Sequence, residues 1–133
     1  MVTRILAVDD FEPYRLFIPS LLQERPDLQV ISGASNGLQA VEKAQELKPD
    51  LILMDIGLPL MDGLSTAEVI NGNNKLADIP IVAVTAYHDV RAQALKAGCD
   101  GVLYKPVDPL KLKKVLDAHL DGAPKRTSIQ STV

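Results

Sequence analysis

The chain has 133 residues, 47% of them hydrophobic and 23% charged, which fits one soluble globular domain able to bury a single core. A formal net charge of −3 argues against nucleic acid as a direct partner, because binding phosphates needs a basic patch. Cys99 is the one cysteine, so no internal disulfide can form, and it reads as a small packed hydrophobe in a reducing compartment.

The N-terminal stretch Met1-Val-Thr-Arg-Ile-Leu-Ala-Val-Asp-Asp10 meets two acids early and is no signal peptide. Within it, Arg4-Ile-Leu-Ala-Val-Asp9 predicts a first strand. Tyr14, Phe17, Ile18, Leu21 and Leu22 then fall on one face of a helix. Pro19 sits badly inside that helix and should kink it or push its start later. Gln29-Val-Ile-Ser-Gly-Ala34 predicts a weaker strand. Asn36 is a candidate N-cap with Gln39 as its capping-box partner, opening a helix striped by Leu38, Val41, Ala44 and Leu47.

Asp50-Leu-Ile-Leu-Met-Asp55 predicts a third strand, and Leu64, Ala67 and Ile70 a short helix. Asn71-Gly-Asn-Asn-Lys75 reads as a surface turn. Ile79-Pro-Ile-Val-Ala-Val-Thr85 predicts a fourth strand, followed by a helix at Val90, Ala94 and Leu95. Gly101-Val-Leu-Tyr-Lys105 predicts the fifth strand. Leu112, Val115, Leu116 and Leu120 form the clearest helical stripe, opened by Asp108 as N-cap and Pro109 in the first turn. The domain is expected over residues 1–121. A polar, frayed tail is expected over 122–133, with Lys125 and Arg126 as solvated charge. No apolar run approaches the ~20 residues of a membrane helix, so a cytoplasmic location is expected.

Short continuous apolar runs fit strands buried on both faces. Their alternation with helices predicts an α/β fold, an open five-stranded parallel sheet with helices on both sides.

The polar residues that end these strands carry the functional signal. The first strand ends in Asp9-Asp10, the third in Asp55, the fourth in Thr85 and the fifth in Lys105. All five project at the carboxyl edge of the sheet, where open parallel folds bind ligands. Any one of them alone is unremarkable: an aspartate caps a helix, a threonine fills a strand, a lysine is solvated. Their shared position is the observation. Two carboxylates ~4 Å apart repel by ~4 kcal/mol at an effective dielectric near 20. Three need a cation, and one lysine is too little. A hard divalent ion with oxygen ligands is the complement, and Mg²⁺ suits one or two carboxylates, waters and a substrate phosphate. Such a site fits attack by an aspartate on a phosphoryl group, with Lys105 and Thr85 holding the equatorial oxygens.

The segments Ala7-Val-Asp-Asp10, Leu53-Met-Asp-Ile-Gly-Leu-Pro-Leu-Met-Asp-Gly63, Val84-Thr-Ala86 and Tyr104-Lys-Pro106 resemble the motifs of the CheY-like response regulator receiver domain of two-component signalling. The resemblance runs from about Thr3 to Leu120. It implies a flavodoxin-like (βα)5 fold with strand order 2-1-3-4-5. It also implies that Asp55 is the phosphoacceptor and that Asp10 binds Mg²⁺ directly, Asp9 mainly through water. The Gly57 carbonyl is implied as a further ligand, Lys105 pairs with the phosphoryl group, and Thr85 moves inward. A cis Lys105-Pro106 bond is implied as well. The donor is a phosphohistidine on a sensor histidine kinase or phosphotransfer protein, and small acyl phosphates also serve. Output to a downstream effector, or a homodimer, is expected through the fourth helix, fifth strand and fifth helix.

Two positions depart from the family pattern. The aromatic residue usual three positions before the lysine is Val102 here. Tyr104 lies two residues on, on the same strand face and ~6.6 Å nearer the rim. Tyr104 or Tyr87 is therefore expected to take part of the switch, and Tyr87 to shield the acyl phosphate from water. An aspartyl-phosphate phosphohydrolase would want a second acid where Gly57 stands. An unphosphorylated dimerisation scaffold would not need the full set of acids, Thr85 and Lys105. His88 and His119 lack partners at ligand spacing and are read as structural or solvated.

Overall fold

The computed structural model describes residues 2–120, so the expected tail lies outside the described residues. The apolar runs become strands β1 (Thr3–Val8), β2 (Leu28–Ala34), β3 (Leu51–Asp55), β4 (Ile81–Thr85) and β5 (Gly101–Tyr104). Between and after them lie α1 (Glu12–Leu21), α2 (Gly37–Leu47), α3 (Gly63–Asn71), α4 (Arg91–Ala97) and α5 (Pro109–Leu120). The strands form one parallel sheet in the order β2-β1-β3-β4-β5. The flavodoxin-like (βα)5 fold expected from the sequence is the fold observed.

Strand residues alternate between two cores, because successive side chains leave a sheet on opposite faces. Leu6, Val8, Ile52, Met54, Ile81, Ala83 and Val102 pack with Ala40, Ala44, Ala67, Ile70, Ala94 and Ala97, the face covered by α2, α3 and α4. Ile5, Leu51, Leu53, Val82, Val84 and Leu103 pack with Ile18, Leu22, Leu112 and Leu116, the face covered by α1 and α5. Each fully buried leucine or isoleucine contributes roughly 1.5–3 kcal/mol. Cys99 is buried as a packed hydrophobe. Among the described residues no helix is long and apolar enough to cross a membrane.

Helix ends follow local chemistry. Asn36 Oδ1 accepts from the Gln39 N–H at 2.9 Å. Gln39 Oε1 closes the turn by accepting from the Ser35 N–H at 3.0 Å, one residue earlier than a capping box. Asp108 Oδ1 accepts from the Leu110 N–H at 2.8 Å and opens α5. Gly98, at φ 110°, takes the left-handed C-cap of α4.

Two expectations need correction. Pro19 does not delay α1: the helix starts at Glu12 with Pro13 in its first turn, and Pro19 falls in its last turn. A proline there lacks the N–H that would pair with the Arg15 carbonyl, so it costs one intrahelical hydrogen bond in the final turn and leaves the earlier turns in place. Phe17 and Leu38 also lie at the edges of their stripes. They are 46% and 51% exposed, while Ile18, Leu22, Ala40 and Ala44 take the core.

Candidate phosphoacceptor site

Parallel register sets the site. Val8 pairs with Met54, Asp55 with Val84 and Thr85 with Tyr104, so β1, β3, β4 and β5 end at one rim. Asp9 follows β1, Asp55 ends β3, Thr85 ends β4 and Lys105 follows β5. The Lys105 N–H donates to the Thr85 carbonyl at 2.8 Å, which ties the lysine backbone to the end of β4.

Asp9 is buried and fully engaged. Its Oδ1 accepts from the Phe11 N–H at 2.9 Å, and its Oδ2 accepts from Lys105 Nζ at 2.8 Å. Lys105 Nζ also reaches Asp55 Oδ2 at 3.3 Å. The other oxygen of Asp55 accepts from the Gly57 N–H at 3.2 Å. Asp10 is exposed, and no hydrogen bond or ion pair to its carboxylate occurs among the described residues. One carboxylate oxygen from each of Asp9, Asp10 and Asp55 lies within 4.8 Å of the others.

Charge in this pocket is unbalanced. Burial pushes the Asp55 carboxyl above its usual range; Lys105 pulls it down, and the Asp9 charge pushes it up again. Burial alone would lower the Lys105 ammonium, yet Asp9 and Asp55 outweigh it and hold it above its usual value. Three carboxylates against one ammonium, all with hard oxygen donors, fit a divalent ion such as Mg²⁺. Asp10 has free coordination capacity, whereas both oxygens of Asp9 already have protein partners.

The loop after β3 is shaped for close approach. A Cβ on Gly63 would stand 2.3 Å from the Asp55 carbonyl oxygen and 2.6 Å from Ile56 Cα. Only glycine lets α3 start directly against the strand that carries Asp55. The Lys105-Pro106 peptide is cis.

The expected switch residues divide. Thr85 is fully buried, and its Oγ1 accepts from the Tyr87 N–H at 3.0 Å. Tyr87 is 61% exposed, on the loop between β4 and α4. Val102 is buried in β5. Tyr104 is half-buried, and its ring stacks on His88 at 4.7 Å with 11° between planes. His88 is thus an aromatic neighbour of a switch candidate, and His119 lies beside Gly101. Two residues that the sequence does not place at this rim also belong here, where Tyr14 reads only as part of the helical stripe of α1. Arg15 Nη1 donates to the Asp9 carbonyl at 2.6 Å, and the Tyr14 ring lies 4.4 Å from Lys105 Nζ.

The family model of the response regulator receiver domain matches residues 5–117. The chain is 38% identical over 118 residues to the nitrate/nitrite response regulator NarL of Escherichia coli K12, covering 89% of this chain and 55% of NarL. It is 38% identical over 120 residues to a protein-glutamate methylesterase/protein-glutamine glutaminase of Carboxydothermus hydrogenoformans, covering 88% of this chain and 34% of that protein. Among solved structures, the response regulator domain of Thermotoga maritima CheB superposes with a TM-score of 0.82 at 29% identity, over 93% of this chain and all of that one. The receiver domain of a sensor histidine kinase from Pseudomonas aeruginosa PAO1, with magnesium in its active-site cleft, gives 0.81 at 30% identity, over 92% of this chain and all of that one. The chain belongs to the response regulator receiver domain family of two-component signalling. It spans only part of the longer NarL and methylesterase proteins. Receiver domains bind Mg²⁺ at an aspartate cluster and interact with histidine kinases and downstream effectors.

Proposed function

We propose that this chain accepts a phosphoryl group on Asp55 from the phosphohistidine of a sensor histidine kinase or histidine phosphotransfer protein. The observation that carries the reading is the Lys105 ammonium held between Asp9 and Asp55, at 2.8 and 3.3 Å, on the rim where Asp10 and Thr85 also lie. The chain is a phosphoacceptor that assists its own phosphorylation and dephosphorylation, and not an enzyme acting on a separate substrate. Its setting is the cytoplasm.

Asp9, Asp10 and Asp55, with the Gly57 carbonyl, would hold Mg²⁺. When bound, that ion supplies charge neutralisation between the carboxylates and the phosphoryl oxygens. An Asp55 carboxylate oxygen forms the new bond to phosphorus as the donor's nitrogen–phosphorus bond breaks, and the electron pair leaves with the imidazole nitrogen. Lys105 follows the charge from the carboxylate to the phosphoryl oxygens. Burial favours this: in a pocket of low dielectric, an ammonium already at the rim has only to exchange one hydrogen-bond partner to stabilise the developing charge.

Output begins at Thr85. Turning its hydroxyl toward a phosphoryl group gives up the 3.0 Å hydrogen bond from the Tyr87 N–H. The loop between β4 and α4 is then free to shift, and with it the His88 ring stacked on Tyr104. The α4-β5-α5 face changes shape and gains or loses a downstream protein effector, or a second copy of the chain. Moving such an equilibrium from 1:99 to 99:1 takes ~5.5 kcal/mol of differential interaction. Two or three charge-assisted contacts supply a good part of it. Tyr104 and Tyr87 take over the part that an aromatic at Val102 would play.

The test is intact mass after incubation with acetyl phosphate and, separately, with a phosphorylated histidine kinase, with and without Mg²⁺. Gain of one phosphoryl group that needs Mg²⁺ and disappears in Asp55→Asn is expected. No gain from either donor would leave the dimerisation scaffold as the better reading.

A further inference from the structure

Lysine 105 has a third neighbour that the phosphoacceptor reading does not use. Tyr14 projects from the first turn of α1, and its ring face lies 4.4 Å from Lys105 Nζ. The hydroxyl of the same side chain accepts from the Val107 N–H at 3.3 Å, two residues beyond the lysine. One side chain from α1 thus meets both the charged tip of Lys105 and the turn that follows it. The ring is itself half-buried and braced by Phe17, 6.0 Å away between centroids.

We propose that Tyr14 is a positioning residue that holds the Lys105 ammonium over Asp55, through its ring face, while Lys105 passes from the carboxylate to an incoming phosphoryl group. This rests on the phosphoacceptor reading of Asp55. The physical reason lies in the kind of contact. A lysine stem has four rotatable bonds and strays unless its tip is held. Asp9 and Asp55 hold it by directional hydrogen bonds, and the bond to Asp55 must be exchanged when that carboxylate is modified. A π face attracts a cation without a fixed hydrogen-bond direction. It keeps the ammonium at the rim while its hydrogen-bond partner changes. The hydroxyl contact to Val107 keeps the ring itself from turning away.

The experiment compares the parent, Tyr14→Phe and Tyr14→Met, the last a flexible apolar replacement without a π face. Two readouts are taken: the rate of phosphoryl uptake from acetyl phosphate, and the NMR order parameter of the Lys105 side chain without Mg²⁺ or donor. Loss of a partly exposed cation–π contact should slow uptake about 3- to 10-fold in Tyr14→Met. The Lys105 tip should become more mobile, and Tyr14→Phe should restore most of both. In a Lys105→Met background, adding Tyr14→Met should change the rate less than about twofold, because the tyrosine acts through the lysine. Equal slowing in both backgrounds, or an unchanged order parameter in Tyr14→Met, overturns the proposal. If Tyr14→Met does not fold, Tyr14→Leu takes its place with the same two readouts, and an unchanged Lys105 order parameter or equal slowing in both backgrounds overturns the proposal. If the parent takes up no phosphoryl group, the reading of Asp55 fails, while the order parameters still decide whether Tyr14 holds Lys105.

Discussion

Replacing Asp55 by asparagine should stabilise the metal-free protein. Asp9 and Asp55 oxygens lie within 4.8 Å of each other, a separation at which two unit charges repel by about 3.5 kcal/mol at an effective dielectric near 20. Lys105, 3.3 Å from Asp55, returns about 5 kcal/mol on the same scale. Asp10 adds repulsion that water screens, because it is exposed. These terms roughly cancel, and the burial of the Asp55 carboxylate, 12% exposed, remains uncompensated. Asparagine keeps the shape, but its single oxygen can accept from Lys105 Nζ or from the Gly57 N–H and not from both, so the gain expected is about 1 kcal/mol. For a domain of this size that is a rise of about 4 °C in Tm per kcal/mol. The sign with pH follows from the raised Asp55 carboxyl. Below its unfolded pKa the group is neutral in both states, and the two proteins differ little. As pH rises through the unfolded and then the folded pKa, the parent loses stability relative to the variant, and the gap opens. Mg²⁺ should narrow it, since the ion binds the intact site more tightly. Thermal melts by circular dichroism, in chelator, from the carboxylate range up to pH 7, measure all of this. A variant that melts at or below the parent at pH 7, or a gap that does not change with pH, would refute the electrostatic reasoning.

Gly63→Ala forces a Cβ to within 2.3 Å of the Asp55 carbonyl oxygen, and a loss of at least about 2 kcal/mol in urea unfolding is expected; a change under about 0.5 kcal/mol would mean that α3 shifts freely. Tyr104→Ala removes the ring stacked on His88 and should weaken phosphorylation-dependent partner binding, and unchanged affinity would reject a switch role for Tyr104. Tyr87→Ala should speed loss of the phosphoryl group from Asp55, followed by mass over time. An equal rate would mean that the exposed ring does not shield the site.

Most of the fold was legible because buried parallel strands leave an unmistakable pattern. Five short apolar runs with helical stripes between them leave few topologies, and the strand-end residues Asp9, Asp55, Thr85 and Lys105 mark one rim. The caps at Asn36 and Asp108 were legible because they are local, within three residues of the groups they satisfy. What escaped was non-local or marginal. Nothing in the spacing links Tyr14 to Val107, 93 positions away, or Arg25 to Asp117, where the guanidinium makes contacts of 2.8 and 3.1 Å between the loop after α1 and α5. Periodicity marks a stripe and not its edges, so Phe17 read as core although it is nearly half exposed. Pro19 read as a fault because a sequence does not say that its helix ends two residues later.

The most direct measurement is to locate the modified residue. The protein is treated with acetyl phosphate and Mg²⁺, reduced with borohydride, digested and sequenced by tandem mass spectrometry. Reduction turns an aspartyl phosphate into homoserine. Homoserine at position 55, absent without donor or without Mg²⁺, is the expected result. Homoserine at position 9, 10 or 62 with Asp55 intact, or none at all under conditions that modify another receiver domain, would contradict the role of Asp55.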